Sequence, residues 1–305
     1  MKKAQILLST YNGEKYIEQQ LDSLLNQDYH PLEILIRDDG SKDRTLSILD
    51  EYQRKYEQIR VIKAENKGVI SSFFELAMEA DTEAEYFAFC DQDDYWQPSK
   101  VSRAVSMLGK QESNVPLLYF SRLDIVDDNL QLLKQSQIPP RGVGFKNALI
   151  QNVATGCTIV FNKEMLELFK SKIPDTQKVT MHDGWFYLLA SAFGKLVYDP
   201  ESHLLYRQHS SNTLGMANNK VQSAIIRYKN FKKTGKEKPF TKQVEEFYRL
   251  FKEELHPEKR KIVEDFLYKR NSTISRMVYT LNTPLYRQND RDTIIYKMLY
   301  ALKSY

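Results

Sequence analysis

The 305-residue chain has only two cysteines, Cys90 and Cys157. Two cannot build a disulfide framework or a four-cysteine zinc site, and a reducing cytosol is the simplest compartment. Long hydrophobic runs are also missing. The lysine-bearing start is that of a signal peptide, but the apolar run Ile6-Leu7-Leu8 gives way at once to polar residues. No stretch approaches the roughly 18 apolar residues of a spanning helix, and a buried first strand fits better. Three signatures are absent as well. Without Gly-x-Gly-x-x-Gly after the first strand, a nicotinamide site is disfavoured. Without Gly-x4-Gly-Lys-Ser/Thr a P-loop is excluded, and without Gly-x-Ser-x-Gly a hydrolase elbow is disfavoured.

What is present can bury a sizeable core. Apolar residues make up 42 % and aromatics 12 %, with 19 Tyr and 15 Phe, which excludes a disordered or collagen-like chain. The formal net charge of +4 hides an asymmetry. Residues 216–305 carry 20 Lys+Arg against 10 Asp+Glu, whereas residues 1–215 carry 24 against 30. The two parts should meet different partners.

The first 110 residues alternate strand and helix. Strands are predicted at 4–8, 32–36, 60–62 and 86–90, and helices at 14–27, from about 43, and over 69–78. Short loops between them imply parallel strands joined by right-handed crossovers, hence an α/β fold. Further strands are predicted at 117–120, 158–161, 195–198 and 204–207, with a helix over 181–193. From 217 on the pattern is helical, with an exposed Lys-rich linker at 232–238.

In a parallel sheet, ligands bind at the carboxyl ends of the strands. Three of those ends are polar or acidic: Ser9-Thr10-Tyr11-Asn12, Asp38-Asp39-Gly40-Ser41 and Asp91-Gln92-Asp93-Asp94. One such turn is usually a helix cap; three along one edge point to a ligand site. Three carboxylates within four residues repel one another, and a divalent cation such as Mg2+ or Mn2+ relieves this while leaving positions open for phosphate oxygens. Asp39 is suited to accept from a pyrimidine imino group, and Tyr11 either stacks on a base or packs.

Together these motifs, with Asn66-Lys67-Gly68 and Tyr95-Trp96-Gln97-Pro98, resemble the family 2 inverting glycosyltransferases of GT-A fold over residues 4–215. Asp91-Gln92-Asp93-Asp94-x-Trp96, His182-Asp183-Gly184-Trp185 and Tyr206-Arg207-Gln208-His209 are similar to one branch, which includes bacterial rhamnosyltransferases of cell-wall polysaccharide assembly. The resemblance implies a GT-A-like, mostly parallel central sheet flanked by helices, with a helical C-terminal extension. Its nucleotide half is 1–110, its acceptor half 111–215, and 216–305 forms a separate basic region. It also implies a nucleotide-sugar donor held by Thr10, Tyr11, Asp39, Asp91 and Lys67, with dTDP-rhamnose as the expected donor. The implied metal ligands are Asp93, Asp94 and His209, for Mn2+ or Mg2+. Asp183 matches the general base, and Gly156, His182 and Trp185 fall on the acceptor side. Chemistry agrees with this division, because inversion needs one carboxylate to take the acceptor proton and a cation to stabilise the departing diphosphate. His209 reads either as a third metal ligand or as a diphosphate contact, Arg207 at the strand end as a surface cation, and Cys157 as packing.

The acceptor implied is a lipid-linked saccharide. The basic C-terminal region then suits an anionic membrane surface at the cytoplasmic face, or a homo-oligomer through its helices. Ile294, Ile295, Met298, Leu299 and Leu302 form an apolar stripe there. No nucleic-acid motif is present, and the acidic strand ends would repel a phosphate backbone. The rival readings are the same chemistry with a UDP-hexose, a non-catalytic scaffold on a transferase domain, and a nucleotidyltransferase.

Overall fold

A computed structural model describes residues 1–112, 114–208 and 238–305. The chain divides into two compact units. The first comprises Met1–Ile138, Ala154–Ile173 and Met181–Gln208; the second comprises Pro139–Val153, Pro174–Thr180 and the C-terminal residues. The expected boundary at 215–216 and the linker at 232–237 lie outside the described residues.

The first unit is built on a mixed sheet. Its strands are β1 (Ala4–Thr10), β2 (Leu32–Asp38), β3 (Ile59–Lys63), β4 (Tyr86–Cys90), β5 (Tyr95–Trp96), β6 (Leu117–Val126), β7 (Leu132–Gln135), β8 (Val160–Asn162) and β9 (Lys195–Arg207). They are ordered β3-β2-β1-β4-β8-β6-β9-β5, with β7 on β6. The β3-β2-β1-β4 part is wholly parallel. Beyond it β8 runs antiparallel to both β4 and β6, while β9 is parallel to β6. The central strands are buried on both faces, which is why they read as unbroken apolar runs.

Helices α1 (Ile17–Leu25), α2 (Thr45–Lys55) and α3 (Val69–Glu79) are the crossovers, followed by α4 (Lys100–Leu108). Helix α1 turns Ile17, Leu21 and Leu24 into the core. Helix α2 begins two residues after Asp43, whose Oδ1 accepts from the Thr45 N–H at 3.0 Å.

Two differences from the sequence reading have local causes. The segments at 195–198 and 204–207 form one 13-residue strand, because pairing with β6 continues through register shifts around Ser121 and Arg122. Thr158 belongs to a 3-10 turn over Gly156–Thr158, and the strand starts at Val160.

Between the sheet's second half and its flanking layer run α6 (Lys163–Ser171) and α7 (His182–Phe193), the short α5 (Phe145–Ala148) belonging to the second unit. Helix α7 is buried from His182 to Ala192, so it is apolar on all sides, as a helix inside a core must be. The second unit continues with α8 (Pro239–Phe251), α9 (Pro257–Tyr268), α10 (Thr273–Asn282) and α11 (Asp290–Ala301). Among the described residues no helix is long and apolar enough to cross a membrane.

Candidate active site

Strands β2, β1 and β4 are neighbours, so the three polar strand ends lie side by side. They are also tied together. Thr10 Oγ1 and the Tyr11 N–H both donate to Gln92 Oε1, at 2.7 and 2.8 Å, and Gln92 Nε2 returns to the Tyr11 carbonyl at 3.2 Å. The loop passes so close that a Cβ at Gly13 would lie 2.4 Å from Gln92 Oε1. Asn12 accepts at its side-chain oxygen from the Lys42 N–H at 2.9 Å, which joins the first strand end to the second.

At the second strand end, Asp38 turns the chain by accepting from the Gly40 and Ser41 amides at 3.1 and 2.9 Å. Asp39 is buried. Its Oδ1 accepts from the Arg37 guanidinium and from the Lys67 N–H at 2.9 Å, and its Oδ2 from the Gly68 N–H at 2.9 Å. A carboxylate has about four acceptor positions, so this orientation keeps room for one further donor. Lys67 reaches Asp39 through its main chain only, since its ammonium pairs with Glu75 at 2.6 Å.

The third strand end is the acidic turn. Asp91 is half-buried and Asp94 fully buried. Burial, then the neighbouring charges of Asp93 and Asp183, pushes the Asp91 carboxyl up to about 7. Burial, with Asp93 and Asp91 beside it, holds Asp94 well above the ordinary carboxylate range. The Gly156 N–H donates to Asp183, and the next residue, Cys157, has its Sγ within 4.8 Å of Asp91 and Asp94 carboxylate oxygens, so the acidic turn and the start of α7 meet at this short turn. A carboxylate oxygen of Asp91, one of Asp94 and the Cys157 Sγ lie within 4.8 Å of one another. Asp94 Oδ2 is buried with no hydrogen-bond partner among the described residues.

A hard divalent cation fits this donor set through its carboxylate oxygens. The Cys157 thiol does not suit such an ion, because burial pushes its ionisation well up. It is a neutral neighbour of the two carboxylates.

One buried cation supports the turn, and a second is buried close by. Arg207, at the end of β9, is 1 % exposed. Its N–H donates to Asp94 Oδ1 at 3.3 Å and its Nε to the Asp93 carbonyl at 2.9 Å. Its two terminal nitrogens donate to the Asp128 carbonyl and to Gln19 Oε1, each at 2.5 Å, and its guanidinium lies 4.6 Å from the Tyr16 ring centre. It is therefore no surface cation. Lys100 is buried with its ammonium 3.1 Å from the Trp96 ring centre, and burial pushes it down to about 8.

Asp183 is the second residue of α7, after the N-cap Met181. Its Oδ2 accepts from the Gly156 N–H at 3.0 Å and its Oδ1 from the Gly184 N–H at 2.6 Å, and the helix N-terminus favours its negative charge. His182 stacks on Phe73 at 3.8 Å and meets the edge of Phe89 at 5.1 Å. Burial pushes its ring down to about 3, so it is neutral across the physiological range. A Cβ at Gly156 would lie 2.8 Å from His182 Nε2, so the glycine is what lets the ring approach. Trp185 is fully buried. His209 lies outside the described residues.

Gln92 and Arg207 were not assigned these roles from sequence. Gln92 sits inside the acidic motif, and its position between two aspartates is the only signal it carries. Arg207 closes a contact more than a hundred residues away, for which sequence periodicity holds no trace.

Comparison with known proteins gives the family. The sequence model of "Glycosyl transferase family 2" matches residues 5–169. The chain belongs to that family. It is 34 % identical over 223 residues to the dTDP-rhamnosyl transferase RfbG of Shigella flexneri, covering 68 % of this chain and 73 % of the relative. An uncharacterized glycosyltransferase of Haemophilus influenzae is 26 % identical over 234 residues, covering 73 % of this chain and 71 % of that one. Among solved structures, S. aureus TarS 1-349 in complex with UDP-GlcNAc aligns with a TM-score of 0.57 at 17 % identity, covering 100 % of this chain and 93 % of that one. The likeness establishes the glycosyltransferase fold expected from the sequence. The protein is a glycosyltransferase, and RfbG makes it one resembling rhamnosyltransferases.

Proposed function

We propose that this enzyme transfers L-rhamnose from dTDP-β-L-rhamnose, with inversion, to a lipid-linked saccharide in cell-wall polysaccharide synthesis. The observation that carries the chemistry is that Asp183 is fixed by the Gly156 amide, one residue before the Cys157 that lies against the Asp91 and Asp94 carboxylates, which sets a held carboxylate beside the acidic turn. The relative named for dTDP-rhamnosyl transfer supports the sugar. Residues 1–215 would carry the reaction, with the donor in 1–110 and the acceptor in 111–215.

In this reading Asp39 accepts from the base imino group through its remaining lone pair, beside Thr10 and Tyr11. Lys67 shapes that pocket through its main chain, and Asp91 meets the ribose. Asp183 takes the proton of the acceptor hydroxyl as that oxygen attacks the anomeric carbon from the face opposite the diphosphate. The C–O bond to the diphosphate breaks, and dTDP leaves with the electron pair. Mg2+ or Mn2+, held by Asp93 and Asp94 with His209 as a further ligand, would neutralise charge on the leaving diphosphate. A mannosyltransferase of the same fold, PcManGT of Pyrobaculum calidifontis, is described in complex with GDP-Man and Mn2+. Gly156, His182 and Trp185 serve the acceptor side by fixing Asp183: the glycine supplies an amide, and the two rings anchor the helix start.

The test is product formation from dTDP-β-L-rhamnose and from UDP-hexoses, each with Mn2+ and with chelator. Metal-dependent transfer from the dTDP sugar alone is the expected result. Transfer from a UDP-hexose would keep the class and replace the donor. Catalysis by neither, with no nucleotide binding, would favour the scaffold reading.

A further inference from the structure

The second unit carries an apolar surface that the transferase chemistry does not use. Helices α10 and α11 pack together through aromatic side chains: Tyr279 lies 4.3 Å from Tyr300 between ring centres, and its hydroxyl is 3.2 Å from that of Tyr296. The faces away from these tyrosines are aliphatic. On α10, Ile274, Met277, Val278 and Leu281 follow an i, i+3, i+4, i+7 stripe and all are exposed, Leu281 by 80 %. On α11, Ile294, Ile295 and Met298, with Leu302 at its C-cap, are likewise exposed. These eight are nearly half of the exposed large hydrophobic residues among the described residues, although they come from two short helices. Scattered surface aliphatics are ordinary; two adjacent stripes are not.

The charge around the stripes is predominantly positive. Residues 269–305 contain seven Lys+Arg and two Asp+Glu. Arg276 donates to the Ala301 and Arg270 carbonyls, at 2.8 and 2.9 Å, and Arg270 to Thr241 and the Tyr305 carbonyl. The acceptors of Arg276 are neutral and leave its positive charge standing. Arg291, Lys297 and Lys303 add to it along α11 and its end. A second copy docking by two-fold symmetry would bring two faces of the same net positive charge together, an arrangement that electrostatics opposes. A surface of aliphatic chains beneath anionic headgroups matches both the stripes and the charge.

We propose that the paired outer faces of α10 and α11 form a docking surface for an anionic lipid bilayer, lying in its interface without crossing it. The proposal is independent of which sugar is transferred, and its test involves no donor.

The full-length protein is sedimented with phosphatidylcholine vesicles containing phosphatidylglycerol and with phosphatidylcholine vesicles alone. Binding should favour the anionic vesicles and weaken with salt. Leu281→Glu combined with Met298→Glu should lower partitioning by about tenfold or more, with an unchanged melting temperature, since both side chains point away from the core. Arg291→Glu with Lys297→Glu, which leaves the apolar stripes intact, should abolish the preference for phosphatidylglycerol. Failure of the wild type to bind, or equal binding by both double variants, overturns the proposal. So does a dimer, seen by sedimentation velocity, that the Leu281/Met298 variant dissociates while vesicles bind neither protein; that result assigns the surface to a second copy.

Discussion

The main-chain N–H of Gly156 donates to Asp183 Oδ2 at 3.0 Å, and the same glycine leaves space for His182 beside it. One residue therefore orients the proposed base and admits the neutral ring that anchors the start of α7. A methyl group at this position would meet His182 Nε2 at 2.8 Å, with Phe73 and Phe89 blocking retreat. Gly156→Ala should therefore cost about 1–3 kcal/mol by overpacking. Turnover should fall with it, while the donor KM holds. Unchanged thermal stability and turnover would show that His182 can move and that Asp183 does not depend on it.

Asp183→Asn keeps a side-chain oxygen for the Gly156 amide but cannot take a proton. Turnover should drop by roughly 10²–10⁴-fold, with nucleotide affinity near wild type and a modest fall in melting temperature, because the new NH2 faces the Gly184 N–H. Near-normal single-turnover rates would remove Asp183 as the base and leave it as a structural carboxylate at a helix start.

Metal dependence can be tested without catalysis. Melting temperature is measured with dTDP and with UDP, each with and without Mn2+. A ligand bound by the folded state raises it by mass action, and dTDP with Mn2+ should give the largest rise. Asp94→Asn removes a buried carboxylate that has an unpartnered oxygen among like charges. That variant should melt no lower than wild type in chelator, yet lose the metal-dependent part of the dTDP shift. Full retention of that part would take Asp94 out of the ligand set.

Much of this architecture is readable from the chain because it is local. Apolar runs ending in polar turns mark β1, β2 and β4, and the spacing of Ile17, Leu21 and Leu24 marks the inner face of α1. What is not readable is how the strand ends are joined. Gln92 belongs to the loop after β1 as much as to its own motif, and Arg207 completes a turn formed by residues 93 and 94. Both depend on side-chain geometry between segments distant in sequence. Strand β5 is two residues long and exists only through its pairing with Leu204 and Leu205, so no periodicity could announce it. His182 has the same difficulty in reverse. Its polarity and its place beside Asp183 draw attention, but its ring lies inside an aromatic core.

Arg207 offers a sharper test of this long-range tie. Its guanidinium serves the Asp93 and Asp128 carbonyls and the Gln19 side chain. Arg207→Met preserves much of the volume but removes the donor to the half-buried Asp93 carbonyl; Asp128 and Gln19 are exposed and can turn to water. With one acceptor left short of a partner, a loss of about 1–3 kcal/mol is expected in denaturant melts. Metal-dependent nucleotide binding should weaken in parallel, because the acidic turn loses its support. A loss below ~1 kcal/mol would mean that solvent replaces the guanidinium at little cost.

The second unit supplies a prediction in pH. Glu246 is 1 % exposed. It is held down to about 2, first by its hydrogen bonds to Arg249 and then by the Asp175 amide and Lys178, against burial, which acts the other way. An ordinary Glu titrates near 4.3 when unfolded. Between those values the unfolded chain binds the proton more readily than the folded one, so stability falls as pH falls. The contribution is complete above about pH 5 and disappears as pH drops toward 2. Allowing for the exposure of Arg249, it amounts to about 1–3 kcal/mol at neutral pH. Glu246→Gln should lower stability at pH 7 by that amount and flatten the acid limb of the stability profile between pH 5 and 2. A variant whose profile stays parallel to wild type through that window would show that Glu246 has no special tie to the 174–180 segment.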